Sequence, residues 1–312
     1  MKFSVVIATY NRVDLLKRAI ASALNQTIPC EVVVVDNAST DGTEDYARSL
    51  GDQIIYHRNP TNANHAGAIN VGAKVATGEW IKFVDDDDYI AANCLEVMQA
   101  AIACHPEAVI CSCQASQVDL EGQELSRTPM CGPGEAFYIP QDAVHLGMFL
   151  EQVPFGTPVQ VAVRRDILLT SGGWDASMTS CVEIDSWIRI AEHGDALFIN
   201  QCLAYRTIWP GGYDQHIDLI RRKDVNFEIK ERIYKRISPK YRNQVPSLTA
   251  IRNYLDLHWG FVALKQRKLK TVASMCFPAT FSPQAWKLLR QASAFRNHVS
   301  ETALVPKIPL AL

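Results

Sequence analysis

Residues 3–8 read Phe3-Ser-Val-Val-Ile-Ala8, a short apolar run rich in β-branched side chains, and Glu31-Val-Val-Val-Val35 repeats this pattern. Between the two runs, apolar residues recur at helical spacing from Arg12 to about Asn25. β-branched runs favour strands, and a strand, a helix and a second strand in this order form a βαβ unit. This N-terminal stretch therefore predicts an α/β protein whose first two strands are parallel.

The same alternation continues through the next part of the chain. Further strands are predicted over residues 53–57, 80–84 and 108–113, and helices over residues 65–76 and 91–104. Near-continuous apolar strands joined by helices are typical of a Rossmann-like, mostly parallel sheet that is covered on both faces. Ligands of such sheets bind at the carboxyl ends of the strands.

The regular alternation ends near Cys113. The residues that follow predict shorter elements, among them a strand near 158–163 and a helix around 183–193. From about Ile217 the pattern is one of long amphipathic helices interrupted by prolines. We therefore expect three regions, which comprise residues 1–110, 111–216 and 217–312.

The 312 residues carry a formal net charge of −2, but this charge is divided unevenly along the chain. Residues 1–220 contain 13 Lys or Arg and 28 Asp or Glu, a balance of −15, whereas residues 221–312 contain 18 and 5, a balance of +13. A basic region of this kind either favours contact with an anionic surface, such as phospholipid or nucleic acid, or forms a solvated helical face.

The composition limits the class of protein. Hydrophobic residues make up 48% of the chain, which excludes a disordered protein. No run approaches the roughly 18 apolar residues of a membrane-spanning helix, and Met1-Lys2-Phe3 leads directly into a strand. The nine cysteines show no zinc spacing and are typical of buried side chains in a reducing compartment. We therefore expect a cytoplasmic protein.

Four consecutive carboxylates, Asp85-Asp86-Asp87-Asp88, directly follow the apolar strand Trp80-Ile-Lys-Phe-Val84. Like charges this close destabilise the fold unless a cation lies among them. Hard divalent ions such as Mn²⁺ and Mg²⁺ take oxygen ligands, and they are often held by one or two carboxylates together with substrate phosphates. The alternative is an acidic turn that caps the helix beginning near Ala91.

Two other strand ends bear on phosphate and nucleoside binding. The first strand ends in Ala8-Thr-Tyr-Asn-Arg12, which contains neither a dinucleotide-binding nor a P-loop glycine motif, so phosphates must be bound differently. A metal ion on the aspartates would serve this purpose. Asp36 ends the second strand, where a carboxylate can accept a pyrimidine N–H or a ribose hydroxyl or simply belong to a strand-to-helix loop.

Several motifs now point to a known family. They are Ser4-Val-Val-Ile-Ala-Thr-Tyr-Asn-Arg12, Val35-Asp-Asn-Ala-Ser-Thr-Asp-Gly-Thr43, Asn70-Val-Gly72 with Ala76-Thr-Gly-Glu-Trp80, and Phe83-Val-Asp-Asp-Asp-Asp88. On these motifs the N-terminal half resembles the family 2 glycosyltransferases of the GT-A fold. Gly172-Gly-Trp-Asp175 and Glu183-Ile-Asp-Ser-Trp-Ile-Arg189 extend the resemblance to about residue 210. It implies a GT-A domain, to which the helical pattern from about Ile217 adds a C-terminal helical extension.

The resemblance implies metal-dependent transfer of a sugar, with inversion, from a nucleotide-diphosphate donor, for which we expect a UDP-sugar. The acceptor would be a hydroxyl of a glycan or a lipid-linked acceptor in cell-surface polysaccharide or glycolipid synthesis. Residues 1–110 would bind the nucleotide sugar, residues 111–216 would bind the acceptor and carry out catalysis, and residues 217–312 would form a basic helical region. That region favours peripheral association with the inner membrane face.

The resemblance also implies roles for single residues. Asp85 and Asp87 match the D-x-D motif, with Asp87 as the direct ligand of Mn²⁺ or Mg²⁺. Glu183 falls where the family has its general base, with Asp185 as the rival, while a glutamate in the first turn of a helix also fits a structural role. The positions implied for binding the nucleotide sugar are Thr9, Tyr10, Asn11, Arg12, Asp36, Asn70, Asp85 and Asp86.

Other readings of the sequence stay open. A sugar nucleotidyltransferase would need a glycine-rich, basic loop after the first strand, and a non-catalytic nucleotide-sugar or glycan-binding protein would keep the fold without the base. His216 is a candidate for completing the metal site, whereas we expect His65 to be a surface or capping residue. Trp174, Trp209 and Tyr213 could stack on a sugar or pack in the core. No nucleic acid is expected as a partner, and self-association of the chain is left open.

Overall fold

The computed structural model describes residues 1–153, 155–212, 218–296 and 304–311. Its contacts divide the chain into two units. The sheet unit comprises Met1–Gln141, Phe155–Trp209 and Lys307–Leu312, and the helical unit comprises Asp142–Pro154 and Pro210–Pro306.

The N-terminal part of the sheet unit alternates strands and helices, as the sequence predicts. In chain order these elements are β1 (Phe3–Thr9), α1 (Val13–Leu24), β2 (Glu31–Asp36), α2 (Thr43–Ser49), β3 (Ile55–Arg58), α3 (Asn64–Val75), β4 (Trp80–Asp85), β5 (Tyr89–Ile90), α4 (Cys94–Cys104) and β6 (Ala108–Val118). The later elements are β7 (Glu124–Arg127), β8 (Ala136–Ile139), α5 (Gln141–Phe149), β9 (Val161–Arg164), α6 (Arg165–Thr170), α7 (Val182–Ile190) and β10 (Asp195–Thr207).

In the described residues, these strands form one sheet whose main path runs β11-β8-β10-β6-β9-β4-β1-β2-β3, where β11 is Ile308–Leu310. The four strands β4, β1, β2 and β3 are parallel to one another, as are β6 and β10. Strand β9 lies antiparallel between β4 and β6 and joins the two parallel groups. Helices flank this central sheet, so the expected mixed α/β architecture is confirmed.

Close packing of α3 on the sheet explains one glycine of the N-terminal motifs. Val6 of β1 and Val35 of β2 are fully buried, and they lie against Gly72 of α3. A Cβ atom at position 72 would collide with the Val6 side chain. Glycine therefore lets α3 approach β1 and β2 closely, and α3 begins next to the carboxyl ends of these strands.

The helical unit contains α5 beyond its first residue, α8 (Leu219–Arg236), α9 (Leu248–Lys265), α10 (Leu269–Ala279) and α11 (Pro283–Arg296). A buried lysine links two of these helices. The Lys230 amine of α8 donates to the carbonyl oxygens of Met148 (3.1 Å) and Phe149 (2.7 Å) at the end of α5. It also lies 3.3 Å from Glu151, which accepts a hydrogen bond from Tyr254 of α9.

Some predicted element bounds are wrong. The strand expected near 158–163 begins only at Val161, because Pro158–Gln160 form a 3₁₀ turn that Thr157 and Gln160 cap. The tail is not helical to its end, since Ile308–Leu310 pair with β8 as an additional strand. Among the described residues, no helix combines the length and the apolar character needed to cross a bilayer.

Candidate active site

The three central parallel strands end side by side at one edge of the sheet. Thr9 of β1 pairs with Asp36 of β2, and Ala8 of β1 pairs with Asp85 of β4. The register therefore brings the motif residues of the three strands to the same edge, although they lie far apart in sequence. This edge is where ligands of parallel α/β sheets bind.

The four aspartates after β4 divide into two pairs by their surroundings. Asp86 and Asp88 are buried, whereas the side chains of Asp85 and Asp87 remain 24% and 16% exposed. Asp86 accepts hydrogen bonds from the Thr9 hydroxyl (2.9 Å) and Arg12 (3.0 Å). Asp88 accepts one from the backbone N–H of Thr207 (2.8 Å). The alternate carboxylates, Asp85 and Asp87, are therefore the more accessible members of the cluster.

Burial and mutual repulsion shift the protonation of this cluster. Burial raises the pKa of Asp86 to about 6, and Asp87 adds to the rise against the opposing effect of Arg12. The pKa of Asp87 is also raised, by burial and by its neighbour Asp85. The cluster therefore holds negative charge at a free-energy cost that a bound cation would reduce.

Asp87 is held by two side chains from distant parts of the chain. The indole N–H of Trp209 donates to Asp87 Oδ2 (2.9 Å), and Arg12 Nη1 lies 3.5 Å from the same oxygen. The Arg12 guanidinium also lies 5.4 Å from the centroid of the Trp209 ring. Instead of standing free to stack on a sugar, Trp209 orients a carboxylate of the aspartate cluster.

Asp85 contacts a histidine that we expected to be a surface or capping residue. His65, in the first turn of α3, places Nε2 3.0 Å from Asp85 Oδ1, and its ring meets the edge of Trp174 at 5.4 Å. Partial desolvation lowers the pKa of His65, but Asp85 outweighs it and the pKa is raised. Glu183 adds to this rise, so its carboxylate lies within electrostatic range of His65.

The donor set fits a hard divalent cation that substrate phosphates complete. Asp85 Oδ1 is buried and has no well-aligned hydrogen bond from the described residues, and Asp87 is the second partly exposed carboxylate. Within the part of the chain that the structure describes, no three His, Cys, Asp or Glu side chains gather as in a closed metal site. Mg²⁺ and Mn²⁺ sites on phosphate substrates need only one or two carboxylates.

The end of β1 and the loop after β2 are joined by hydrogen bonds. Asn11 adopts a left-handed conformation (φ 52°), its backbone N–H donates to the Ser39 hydroxyl (2.9 Å), and its side-chain oxygen accepts from the Thr40 N–H (2.7 Å). Thr9 is buried against Asp86, while Tyr10 is exposed. Tyr10 and Asn11 are both exposed, and Asn11 also shapes the loop through its hydrogen bonds.

Asp36 is fully buried, and both of its oxygens already accept hydrogen bonds from the protein. Oδ1 accepts from the Ser39 N–H (2.8 Å), and Oδ2 accepts from the Tyr56 hydroxyl (2.7 Å) and from Arg58 (2.6 Å). The carboxylate therefore holds β3 and the loop after β2 in place. Direct contact with a nucleoside stays a prediction for this residue.

Asn70 of α3 holds the loop that contains Trp174 against this helix. Its amide nitrogen donates to the Trp174 carbonyl oxygen, and its amide oxygen accepts from the Trp174 N–H, both at 2.7 Å. Trp174 is buried, and its ring packs with Phe83 (5.4 Å) and Trp187 (5.9 Å) rather than facing a ligand. Asn70 thus positions the loop that leads to α7, and its contact with a nucleotide sugar stays a prediction.

The two candidate bases on α7 differ in their surroundings. Asp185 is buried and accepts a hydrogen bond from Arg189 Nε (3.0 Å), one turn further along the helix. Arg189 also donates to the carbonyl oxygens of Ser171 and Gly173, the latter at 2.6 Å. Glu183, in the first turn of α7, is only partly buried. Asp185 therefore belongs to a structural ion pair, and Glu183 is the more accessible carboxylate.

Sequence reasoning missed two contacts of this site, His65 with Asp85 and Trp209 with Asp87. Neither contact has a local signal, because each joins residues that only the tertiary fold brings together. His216, the candidate for completing the metal site, and Tyr213 lie outside the described residues.

A mostly parallel sheet flanked by helices, with carboxylates at the ends of its central strands, defines an α/β protein of the class whose ligands bind at this edge. The family model for glycosyl transferase family 2 matches residues 4–170. The chain therefore belongs to glycosyl transferase family 2, as the sequence motifs indicated.

Two curated relatives each match about three tenths of the chain. A poly(ribitol-phosphate) β-glucosyltransferase of Bacillus spizizenii is 36% identical over 102 residues, which cover 30% of this chain and 16% of the relative. The UDP-Glc:α-D-GlcNAc-diphosphoundecaprenol β-1,3-glucosyltransferase WfaP of Escherichia coli is 40% identical over 88 residues, which cover 28% of this chain and 35% of the relative. Both matches span about a third or less of the relative's length.

Solved structures of low sequence identity share the fold over most of the chain. TarS 1–349 of S. aureus in complex with UDP-GlcNAc superposes with a TM-score of 0.59 at 17% identity and covers 99% of each chain. The mannosyltransferase PcManGT from Pyrobaculum calidifontis, in complex with GDP-Man and Mn²⁺, superposes with a TM-score of 0.57 at 20% identity and covers 96% of this chain and 83% of its own. The expected GT-A fold is thereby confirmed.

Proposed function

We propose that this protein is a metal-dependent, inverting glycosyltransferase that moves a sugar from a nucleotide-diphosphate donor to an acceptor hydroxyl. One observation carries the proposal. Asp85 and Asp87 are the partly exposed members of the aspartate cluster, and they follow the central strand of a family 2 fold. Two carboxylates at this place suit a cation that is completed by the diphosphate of the donor.

A UDP-sugar is the proposed donor. WfaP, which is 40% identical over 88 residues, bears UDP-Glc in its name. Residues 1–110 would bind this donor, with Thr9, Tyr10, Asn11, Arg12, Asp36, Asn70, Asp85 and Asp86 as the proposed binding residues. Tyr10 and Asn11 are the exposed members of this set, and Arg12 supplies a cation beside the carboxylates. Thr9, Asp36, Asn70 and Asp86 would act chiefly by fixing the strand ends and loops that surround the donor.

Asp85 and Asp87 would hold Mn²⁺ or Mg²⁺, which when bound stabilises negative charge on the leaving diphosphate as a Lewis acid. The protein prepares this site in advance. Trp209 and Arg12 fix Asp87, and His65 fixes Asp85. Carboxylates that are already oriented need no rearrangement when the donor binds, which lowers the cost of reaching the transition state.

Glu183 is the proposed general base. Its carboxylate would accept the proton of the acceptor hydroxyl while the oxygen forms a bond to the anomeric carbon. The bond from that carbon to the diphosphate breaks on the opposite face, and its electron pair leaves with the nucleoside diphosphate. A base in this role contributes roughly a hundred- to ten-thousand-fold in rate. Asp185 would position the helix through Arg189 instead of taking the proton.

The proposed acceptor is a hydroxyl of a glycan or a lipid-linked sugar in cell-surface polymer or glycolipid synthesis. The names of the relatives, which include a poly(ribitol-phosphate) glucosyltransferase and an enzyme acting on a diphosphoundecaprenol-linked sugar, support this class. Residues 111–216, which include Glu183, would bind the acceptor and carry out catalysis. The basic residues 217–312 would bring the enzyme to a membrane as a peripheral protein.

Donor binding tests the metal site. UDP-, GDP- and dTDP-sugars are screened for thermal stabilisation with and without Mn²⁺, because a ligand that binds only the native state raises its melting temperature. We expect a UDP-sugar to stabilise the protein only when Mn²⁺ is present. Asp85→Asn and Asp87→Asn should each remove this shift, whereas Asp14→Asn, whose side chain is 89% exposed on α1, should retain it.

A metal-independent shift of equal size in the wild-type protein would contradict the proposed role of the two carboxylates. So would an unchanged Mn²⁺-dependent shift in Asp87→Asn. Unfolding curves without ligand establish that each variant is folded.

A further inference from the structure

We infer that the helical unit docks on an anionic lipid bilayer through one exposed face around α10. This face consists of an apolar ridge, formed by Leu269, Phe277 and Phe281, and of a basic rim beside it. The inference deepens the proposed function in one respect, because a lipid-linked acceptor lies in a bilayer. The exposed face around α10 is inferred only from the packing and the charge of the helical unit.

The packing of α10 on α9 determines which face is exposed. Met275 and Ala279 of α10 are buried, and Cys276 lies against Gly260 of α9. A Cβ atom at position 260 would collide with the Cys276 sulfur, so glycine permits the close approach of the two helices. The opposite side of α10 is left outside this contact.

The outer side of α10 carries large apolar side chains. Leu269 and Phe277 are 68% and 74% exposed, and Phe281, just after the helix, is 77% exposed. Leu269 and Phe277 lie two turns apart on one helix face. The rings of Phe277 and Phe281 are edge to face at 6.1 Å, so they form one patch. Grouped aromatic side chains this exposed mark an interaction surface rather than scattered surface residues.

The stretch of sequence that includes α10 and α11 carries charge of one sign. Positions 257–300 of the sequence contain seven Lys or Arg and no Asp or Glu. Six of these cations are exposed, at the end of α9, on the turn before α10, on α10 itself and on α11, and we call them the basic rim: Lys265, Arg267, Lys268, Lys270, Lys287 and Arg290. Each basic side chain near an anionic leaflet contributes on the order of 1 kcal/mol to binding.

The combination of ridge and rim favours a bilayer over other anionic partners. Phenylalanine and leucine side chains enter the boundary between headgroups and acyl chains, while lysine and arginine remain at the level of the anionic headgroups. A double-stranded nucleic acid would satisfy the rim, but its bases are stacked on one another and would offer no apolar medium to Phe277 and Phe281. We therefore commit to an anionic lipid surface as the occupant of this face.

Vesicle flotation with the full chain tests the inference. Vesicles of phosphatidylcholine alone are compared with vesicles that also contain phosphatidylglycerol. We expect binding only to the anionic vesicles, and less binding at raised salt. Lys268→Gln with Lys270→Gln should weaken binding roughly thirtyfold, as expected for two basic side chains. Phe277→Ser with Phe281→Ser should weaken vesicle binding by about tenfold or more, because this variant no longer buries two aromatic rings in the apolar part of the bilayer.

The matched control is Leu125→Ser, which removes an exposed apolar side chain from β7 of the sheet unit and should bind vesicles like the wild-type protein. Wild-type affinity in the double phenylalanine variant would overturn the inference, as would absence of binding to anionic vesicles. Self-association that the same variant abolishes, without vesicle binding, would show a second copy of the chain to be the occupant. Nucleotide-sugar binding, measured on the same samples, reports separately on the proposed function.

Discussion

At the scale of single residues, the four aspartates of the cluster differ in exposure and in hydrogen bonding because their surroundings differ. Asp86 and Asp88 are enclosed by Thr9, Arg12 and Thr207, whereas Asp85 and Asp87 keep part of their surface open. The position of this cluster could be predicted from the sequence, because four carboxylates follow an apolar strand. The alternation between buried and open members depends on side chains that approach from elsewhere in the fold.

The two candidate bases on α7 also differ in their surroundings, so we expect their substitutions to affect stability differently. Asp185→Asn should destabilise the protein by about 2–4 kcal/mol, because it leaves Arg189 partly buried without its charged partner. Glu183→Gln, at the more open position, should cost less than about 1 kcal/mol. Urea unfolding of the two variants measures both free energies. A stable Asp185→Asn variant that has lost sugar transfer would instead identify Asp185 as the base.

At the scale of elements, a carboxylate at the start of β2 ties three segments together. Glu31 accepts hydrogen bonds from Ser4 of β1 (2.5 Å), from the Thr77 N–H (2.7 Å) and from Lys2 (3.1 Å). Although burial opposes the shift, these hydrogen bonds lower the pKa of Glu31 to about 2. The carboxylate therefore favours the folded state wherever it is ionised.

This pKa shift predicts a pH dependence of stability. Since the pKa of Glu31 is lower in the folded state than its ordinary value of 4.5, its contribution is complete above pH 4.5 and is lost as the pH falls toward 2. At neutral pH, Glu31→Gln should lower the free energy of unfolding by about 1–3 kcal/mol. Denaturant unfolding as a function of pH should show this difference shrinking below pH 4.5.

Glu79→Gln is the matched control, because it makes the same substitution at an exposed position just before β4. It should change stability by less than about 0.5 kcal/mol at every pH. A difference for Glu31→Gln that stays constant between neutral pH and pH 2 would show that its hydrogen bonds do not depend on the charge.

Local sequence patterns predict the elements that their own residues stabilise. The βαβ unit of β1, α1 and β2 could be predicted because its β-branched runs and helical periodicity are local properties. Strand β11 could not, because Ile308–Leu310 pair with β8, which lies about 170 residues earlier in the chain. The contact of His65 with Asp85 was missed for the same reason, since it joins α3 to the end of β4.

At the scale of the whole molecule, the near-zero net charge of −2 combines two regions of opposite sign. The acidic part includes the aspartate cluster at the edge of the sheet, and the basic part includes the rim around α10. Sugar transfer and membrane docking are thus assigned to different units, and each can be removed by substitutions that leave the other intact. The sequence alone could predict this division of charge but not the apolar ridge, which depends on how α10 packs on α9.

The most direct test of the account is sugar transfer from the donor found by thermal stabilisation to a lipid-linked sugar acceptor in the presence of Mn²⁺. The wild-type protein should transfer the sugar with inversion, and Glu183→Gln should transfer it roughly a hundred- to ten-thousand-fold more slowly while retaining the donor-induced thermal shift. Turnover of Glu183→Gln at the wild-type rate would contradict the account.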